Sequence, residues 1–155
     1  MTVKQSTGTK QSAEAILPLA SSLRLVVSRL ARRLRQQAEP GVTASQLSVL
    51  ATIDRHGSMT LSDLAQRERV TPPTITASIG RLEAAGFVTR ETDAADKRVT
   101  RISLTREGRR FLERVRSRKN AYLTKRLARL DAGDRATLER AATILERVLE
   151  EDDTR

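Results

Sequence analysis

Sixteen consecutive residues, Thr71-Pro-Pro-Thr-Ile-Thr-Ala-Ser-Ile-Gly-Arg-Leu-Glu-Ala-Ala-Gly86, limit the fold of this chain more than any other stretch. Thr71 suits an N-cap, Pro72 suits a first helical position where its missing N–H is no loss, and Gly86 supplies a left-handed stop. The segment between is therefore expected to be one helix with both ends marked. At about 100° per residue, Ile75, Ile79 and Leu82 share an apolar row that must pack on the protein. The opposite face holds Pro73, Thr74, Thr76, Ala77, Gly80 and Arg81. Short hydroxyl and methyl groups let a helix sink between DNA backbones and touch base edges, whereas a solvated face would be rich in Glu and Lys. A plain surface helix of a small bundle has the same pattern, so the flanking segments decide.

Leu61 to about Arg67 reads as a two-turn helix with Leu64 and Ala65 inward, followed by a break at Arg69-Val70. Small Ala65 allows close approach of the next helix. Short helix, tight turn and capped helix make a helix-turn-helix pattern. Downstream, Phe87–Thr92 and Val99–Leu104 are β-rich runs that alternate inward Val88, Ile102 and Leu104 with outward Thr and Arg. Asp93-Ala-Ala-Asp-Lys-Arg98 separates them as a charged tip, so the pair reads as a hairpin placed as a wing. Upstream, Thr43 and Gln46 form a capping box and Val42 and Leu47 a hydrophobic staple. That helix closes at His56-Gly57, and Ser58-Met-Thr60 allows a short extended segment.

Long helices flank this unit. From Ala13 to about Ala38, Ile16, Ala20, Leu23, Val27, Leu30 and Leu34 recur at heptad-like spacing, with Arg24, Arg29, Arg32, Arg33 and Arg35 on other faces. Pro18 sits near its start and is expected to push the onset a residue or two later, and Pro40-Gly41 ends the helix. Residues 1–12 are polar and expected to form a disordered arm. Thr105 caps a helix from about Arg106 to Leu130, and Asp131 starts a last one to about Glu151, with a fraying acidic end. The expected organisation is an arm over 1–12, a helix over 13–40, a winged helix-turn-helix domain over 41–104, C-terminal helices over 105–151 and a tail over 152–155. The fold class is mainly α with a small β wing.

Among 155 residues, Lys and Arg total 29 against 19 Asp and Glu, a formal net charge of +10 with a pI near 11.2. Such a balance favours a polyanionic partner, nucleic acid before an acidic membrane surface. The excess is spread: +5 over residues 1–40, 0 over 41–59, +3 over 60–110 and +2 over 111–155. Aromatics are only 2%, Phe87, Phe111 and Tyr122, which argues for an aliphatic helical core and against single-strand binding by base stacking. With no cysteine and one histidine there is no thiolate or His-rich metal site, and no cofactor is implied. No run approaches the length of a membrane span, and the polar N-terminal residues carry no secretory h-region, so a cytoplasmic location is expected. His56 belongs to no recognisable triad and no glycine-rich phosphate loop exists, which disfavours an enzyme.

The order Leu61-Ser-Asp-Leu-Ala65, Thr71 through Val88, Asp93-Ala-Ala-Asp-Lys-Arg98 and Ser103-Leu-Thr-Arg-Glu-Gly108 resembles the MarR family of winged helix-turn-helix regulators, from about Ala13 to Glu151. The resemblance implies a homodimer, joined through the first helix and the last two, that represses or occasionally activates genes. It implies that Asp96 of the wing orients an arginine of the binding region and that Arg98 enters the minor groove. Some members of the family sense small aromatic acids or oxidants in a cleft between the dimerisation and DNA-binding parts. Thiol-based sensing cannot operate in a chain without cysteine. From the resemblance, Arg55, His56 and residues of the first helix would line such a cleft, and its basic character would suit an anionic ligand.

The expected site on double-stranded DNA is Thr71, Pro72, Pro73, Thr74, Thr76, Ala77 and Arg81 in the major groove, with Lys97 and Arg98 at the minor groove or its phosphates. Arg81 has only Ala77, Ser78, Ala84 and Ala85 three and four residues away, so no acid on its face pairs with it. Arg98 fits two roles equally, a bridge to Asp93 or Asp96 and a groove contact. Two such helices about 34–36 Å apart would match an inverted repeat. The rival functions are a sequence-indifferent architectural DNA binder and a helical protein-interaction module.

Overall fold

The computed structural model describes residues 7–37, 41–93 and 96–153, with side chains described between 15 and 150 in those spans. Nine elements follow one another: α1 (Thr7–Arg35), α2 (Ala44–His56), β1 (Met59–Thr60), α3 (Leu61–Arg67), α4 (Pro72–Ala84), β2 (Val88–Thr92), β3 (Thr100–Leu104), α5 (Arg106–Leu127) and α6 (Ala132–Asp153).

The core is built where helical and strand periodicities converge. Val49, Leu50 and Ile53 of α2, Leu64 and Ala65 of α3, and Ile75, Ile79 and Leu82 of α4 close on Val88, Ile102 and Leu104 of the sheet and on Phe111, Leu112 and Val115 of α5. Phe87 stacks on Phe111 with ring centroids 4.6 Å apart. Only the first turns of α5 enter this core, and among the described residues α1 and α6 contribute no side chain to it.

Local chemistry fixes the element ends. Thr43 and Gln46 close their expected capping box, Oγ1 accepting from the Gln46 amide at 3.2 Å and Oε1 from the Thr43 amide at 2.9 Å. Thr60 and Asp63 form a second box at the start of α3. Gly86, at φ +76°, ends α4 in a Schellman motif: the Gly86 amide donates to Glu83 O and the Phe87 amide to Leu82 O, each at 2.9 Å. Gly108 is required by close approach, since a Cβ there would lie 2.1 Å from the Phe87 carbonyl oxygen. Thr105 binds α5 to the same turn, its hydroxyl donating to Gly86 O at 2.6 Å while accepting from the Gly108 amide at 3.0 Å.

The wing is three-stranded, in the order β1-β3-β2. Beside the expected hairpin, Met59 pairs with Ile102 and Thr60 with Arg101, both antiparallel. The extended segment before α3 thus ties the wing to the helix-turn-helix.

Four boundaries differ from expectation. Helix α1 begins at Thr7 and runs through Pro18, so residues 7–12 are helical; residues 1–6 of the expected arm lie outside the described residues. Once a long helix exists, propagation costs little per residue and outweighs the one bond lost at proline. Helix α1 stops at Arg35, and the expected terminator Pro40 lies outside the described residues. Helix α5 ends at Leu127, three residues early. Helix α6 continues to Asp153 through the acidic end expected to fray, and residues 154–155 lie outside the described residues.

Candidate nucleic-acid interface

The exposed face of α4 is the one its periodicity demands. Ile75, Ile79 and Leu82 are at most 1% exposed, while Pro73, Thr74, Thr76, Ala77, Gly80 and Arg81 are all exposed. Thr71 holds N-cap backbone geometry but makes no side-chain capping bond, contrary to its expected role; its hydroxyl instead pairs with the Thr74 hydroxyl at 2.9 Å. With Pro72 and Pro73 lacking amide protons, a helix start needs less capping. The Thr76 hydroxyl donates to the Pro72 carbonyl at 2.8 Å, which leaves its oxygen as an acceptor. Arg81 is exposed and pairs with no carboxylate among the described residues. Glu83, on another face, accepts from Arg90 Nε at 2.8 Å and so joins the end of α4 to β2.

The wing tip is organised by its two aspartates. Asp96 accepts from the Arg98 amide at 3.0 Å and from Arg98 Nε at 3.2 Å, while its own amide donates to Asp93 Oδ1 at 3.2 Å. The arginine that Asp96 orients is therefore Arg98 itself. Donation from the Arg98 amide, then from its guanidinium, holds the Asp96 carboxyl below the usual carboxylate range. Arg98 remains 92% exposed along its side chain, and Lys97 is exposed beside it. Asp93, only 17% exposed, pairs through Oδ2 with Arg101, whose guanidinium is held above its ordinary pKa by that carboxylate.

Arg55 and His56 meet elsewhere. Together with Arg67 and Arg69 they line an open hollow of about 1130 Å³ between the end of α2, β1 and α3. Among the described residues none of α1 lines it, contrary to expectation; the large apolar side chains described on α1 are exposed. Sequence periodicity had singled out neither Arg67, Arg69, the Glu83–Arg90 tie nor the Asp93–Arg101 pair. Each joins residues of different elements, and only proximity of Glu83 and Arg90 across the Gly86 turn was a usable signal. Among the described residues no group of three His, Cys, Asp or Glu side chains is placed to hold a metal.

A short helix, a tight turn, a second helix with a small exposed face and a hairpin with a cationic tip together define a winged helix-turn-helix DNA-binding unit. Comparison with known proteins narrows this. The MarR family model matches residues 42–100. An HTH-type transcriptional regulator of Mycobacterium leprae is 39% identical over 134 residues, covering 86% of this chain and 94% of its own. The HTH-type transcriptional repressor MdtR of Bacillus subtilis is 36% identical over 95 residues, 61% of either chain. A solved transcriptional regulator protein from Pseudomonas aeruginosa PA01 superposes with a TM-score of 0.78 at 40% identity, covering 86% of this chain and 94% of that one. The chain belongs to the MarR family: it is a DNA-binding HTH-type transcriptional regulator and not an enzyme. No helix among the described residues is long and apolar enough to cross a membrane.

Proposed function

We propose that the protein is a homodimeric repressor that reads an inverted-repeat operator. One observation carries the dimer: among the described residues, thirteen of the fifteen exposed large apolar side chains lie on α1 and α6, among them Leu17, Val26 and Val27, and Ile144, Val148 and Leu149. Helices with that much apolar surface need a cover, and the two are complementary in charge. Helix α1 carries six cations against one acid, and α6 three cations against seven acids. A second copy supplies both surfaces at once. The sign of regulation follows the repressor MdtR.

In this proposal Thr71, Pro72, Pro73, Thr74, Thr76, Ala77 and Arg81 enter the major groove, Arg81 reading a base edge. Lys97 and Arg98 reach the minor groove or its phosphates, with Asp96 holding the Arg98 stem. For a ligand, the surroundings of Arg55 and His56 favour an anion over an aromatic compound, because the hollow has no Phe or Tyr wall. The test is selection of bound duplexes followed by competition with random DNA. A specific regulator prefers its selected site by roughly 10³ or more and binds it two subunits at a time; equal affinity for random duplex identifies an architectural binder instead.

A further inference from the structure

An ion pair between distant parts of the chain ties α5 to α2 at the point where α5 leaves the core. Arg116 Nη2 donates to Asp54 Oδ2 at 2.6 Å, across 62 positions of sequence. Each partner directly follows the last buried side chain of its helix, Ile53 in α2 and Val115 in α5. Beyond Val115 no side chain of α5 is buried among the described residues. Asp54 is 26% exposed along its side chain and Arg116 58%. Two residues before Asp54, and so about 200° around the helix, the Thr52 hydroxyl donates to Glu68 Oε1 at 2.5 Å. Glu68 is the C-cap of α3. The last turns of α2 therefore hold α5 on one side and the end of α3 on the other.

We propose that Asp54 and Arg116 are positioning residues that set the angle between the winged unit and its arm, and through it the half-site spacing the protein accepts; the proposal rests on the homodimer and inverted repeat of the preceding section. Burial is non-directional, so Phe111, Leu112 and Val115 hold α5 against the core yet leave it free to rock about their row. A guanidinium–carboxylate bond is directional and fixes that angle. From Arg116 to Leu127 the helix runs twelve residues. That is a lever of about 18 Å, and a swing of about 10° at its base moves its end by about 3 Å. One base pair rises about 3.4 Å along a duplex. With the arms joined across a twofold axis, rocking of this size displaces each α4 by a distance of that order. Helix α4 follows α2 because both enter one core through Leu50, Ile53, Ile75 and Ile79, and because Thr52 holds the end of α3. An ion pair this exposed contributes little to folding, so its loss should loosen the angle and leave the unit intact.

The experiment compares the parent with D54A, R116A and the exchanged pair D54R/R116E on the selected operator, on the operator with one base pair added or removed between its half-sites, and on a single half-site. The parent should bind the altered spacings at least about tenfold more weakly than its operator. D54A and R116A should each reduce that discrimination by about threefold, with parental melting temperature and parental affinity for the single half-site. The exchanged pair should restore it. Because the chain has no cysteine, one nitroxide on A84C, exposed at the end of α4, reports the distance between the two α4 helices. Its distribution should broaden in D54A and R116A and narrow again in the exchanged pair. Folded, dimeric D54A and R116A with the parental discrimination and distance distribution overturn the proposal. Equal weakening on every duplex, or an exchanged pair that restores nothing, also overturns it, since the two residues are then a structural contact only. A monomeric parent, or one that binds every spacing alike, overturns instead the dimeric reading beneath it.

Discussion

The compact winged unit and the two arm helices obey the same periodicity with opposite results. In the unit, Leu50, Leu64, Ile79 and Ile102 are 0% exposed, because α2, α3, α4, the sheet and the start of α5 each present an apolar row to the others. In the arms, Ile16 is 59%, Leu17 65% and Leu149 67% exposed on helices as regular as any in the unit. Periodicity shows that a face must be covered; it does not show by what. The unit covers itself; in the proposed dimer a second chain covers the arms.

That contrast breaks most sharply at Val27, 49% exposed on α1. Burying a fully exposed valine contributes roughly 1.5–3 kcal/mol; about half remains to be gained at Val27, twofold symmetry counts it twice, and two unpaired carboxylates add their desolvation, so Val27→Glu should weaken dimerisation by at least about 3 kcal/mol. Sedimentation should show monomers that keep the spectroscopic signature of the winged core. A variant that stays dimeric removes α1 from the interface.

The reciprocal change is Leu64→Ala inside the unit. It should cost about 2–5 kcal/mol in denaturant unfolding, the range for removing a large buried aliphatic side chain. Unlike Val27→Glu, its effect on a dissociated variant background should not depend on protein concentration. A cost below about 1 kcal/mol would mean that the unit is less closed than its burial indicates.

A third comparison lies between the two parts proposed to face DNA. Arg81→Ala should lose about 1–3 kcal/mol of affinity and relax base preference at one position in each half-site. Arg98→Ala should weaken binding less, and chiefly on A·T-rich flanks where a narrow groove attracts arginine. Uniform weakening by Arg81→Ala across all duplexes would reassign it to a phosphate.

The helix-turn-helix and its outward face were legible because they rest on contacts within one element: the Ile75, Ile79, Leu82 row, the Gly86 stop and the Thr43–Gln46 box. What escaped depends on distant pairs. Pairing of Met59 with Ile102 made the hairpin a three-stranded wing, yet a two-residue strand carries no periodic signal. The heptad-like seam of α1 was visible, but Leu17, Leu19, Leu25 and Val26 outside it are exposed as well, so the apolar band is wider than a two-helix seam. Arg55 and His56 were expected beside residues of the first helix, whereas the arginines that line the hollow with them, Arg67 and Arg69, come from the end of α3 and the turn into α4. The resemblance supplied Asp96 and Arg98; geometry supplied which arginine Asp96 holds.

The smallest expected effect is also the most local. Arg98 donates to the ionised Asp96 carboxylate through both its amide and its guanidinium, which lowers the Asp96 pKa. A carboxyl whose folded value is depressed adds stability above its unfolded pKa and loses that contribution as pH falls through the folded value. Order in the wing tip should therefore be complete at neutral pH and decline only in acid, below the ordinary carboxylate range. NMR titration of the Asp96 carboxyl carbon measures this directly. Since the amide contributes more than the guanidinium, Arg98→Ala should retain part of the depression, while the Arg98 amide proton still exchanges slowly at neutral pH. A carboxyl that returns fully to the ordinary value in Arg98→Ala would show that the side chain, and not the backbone turn, holds the tip. The wing would then depend on the same guanidinium that is proposed to meet DNA, and ordering of the tip would compete with binding.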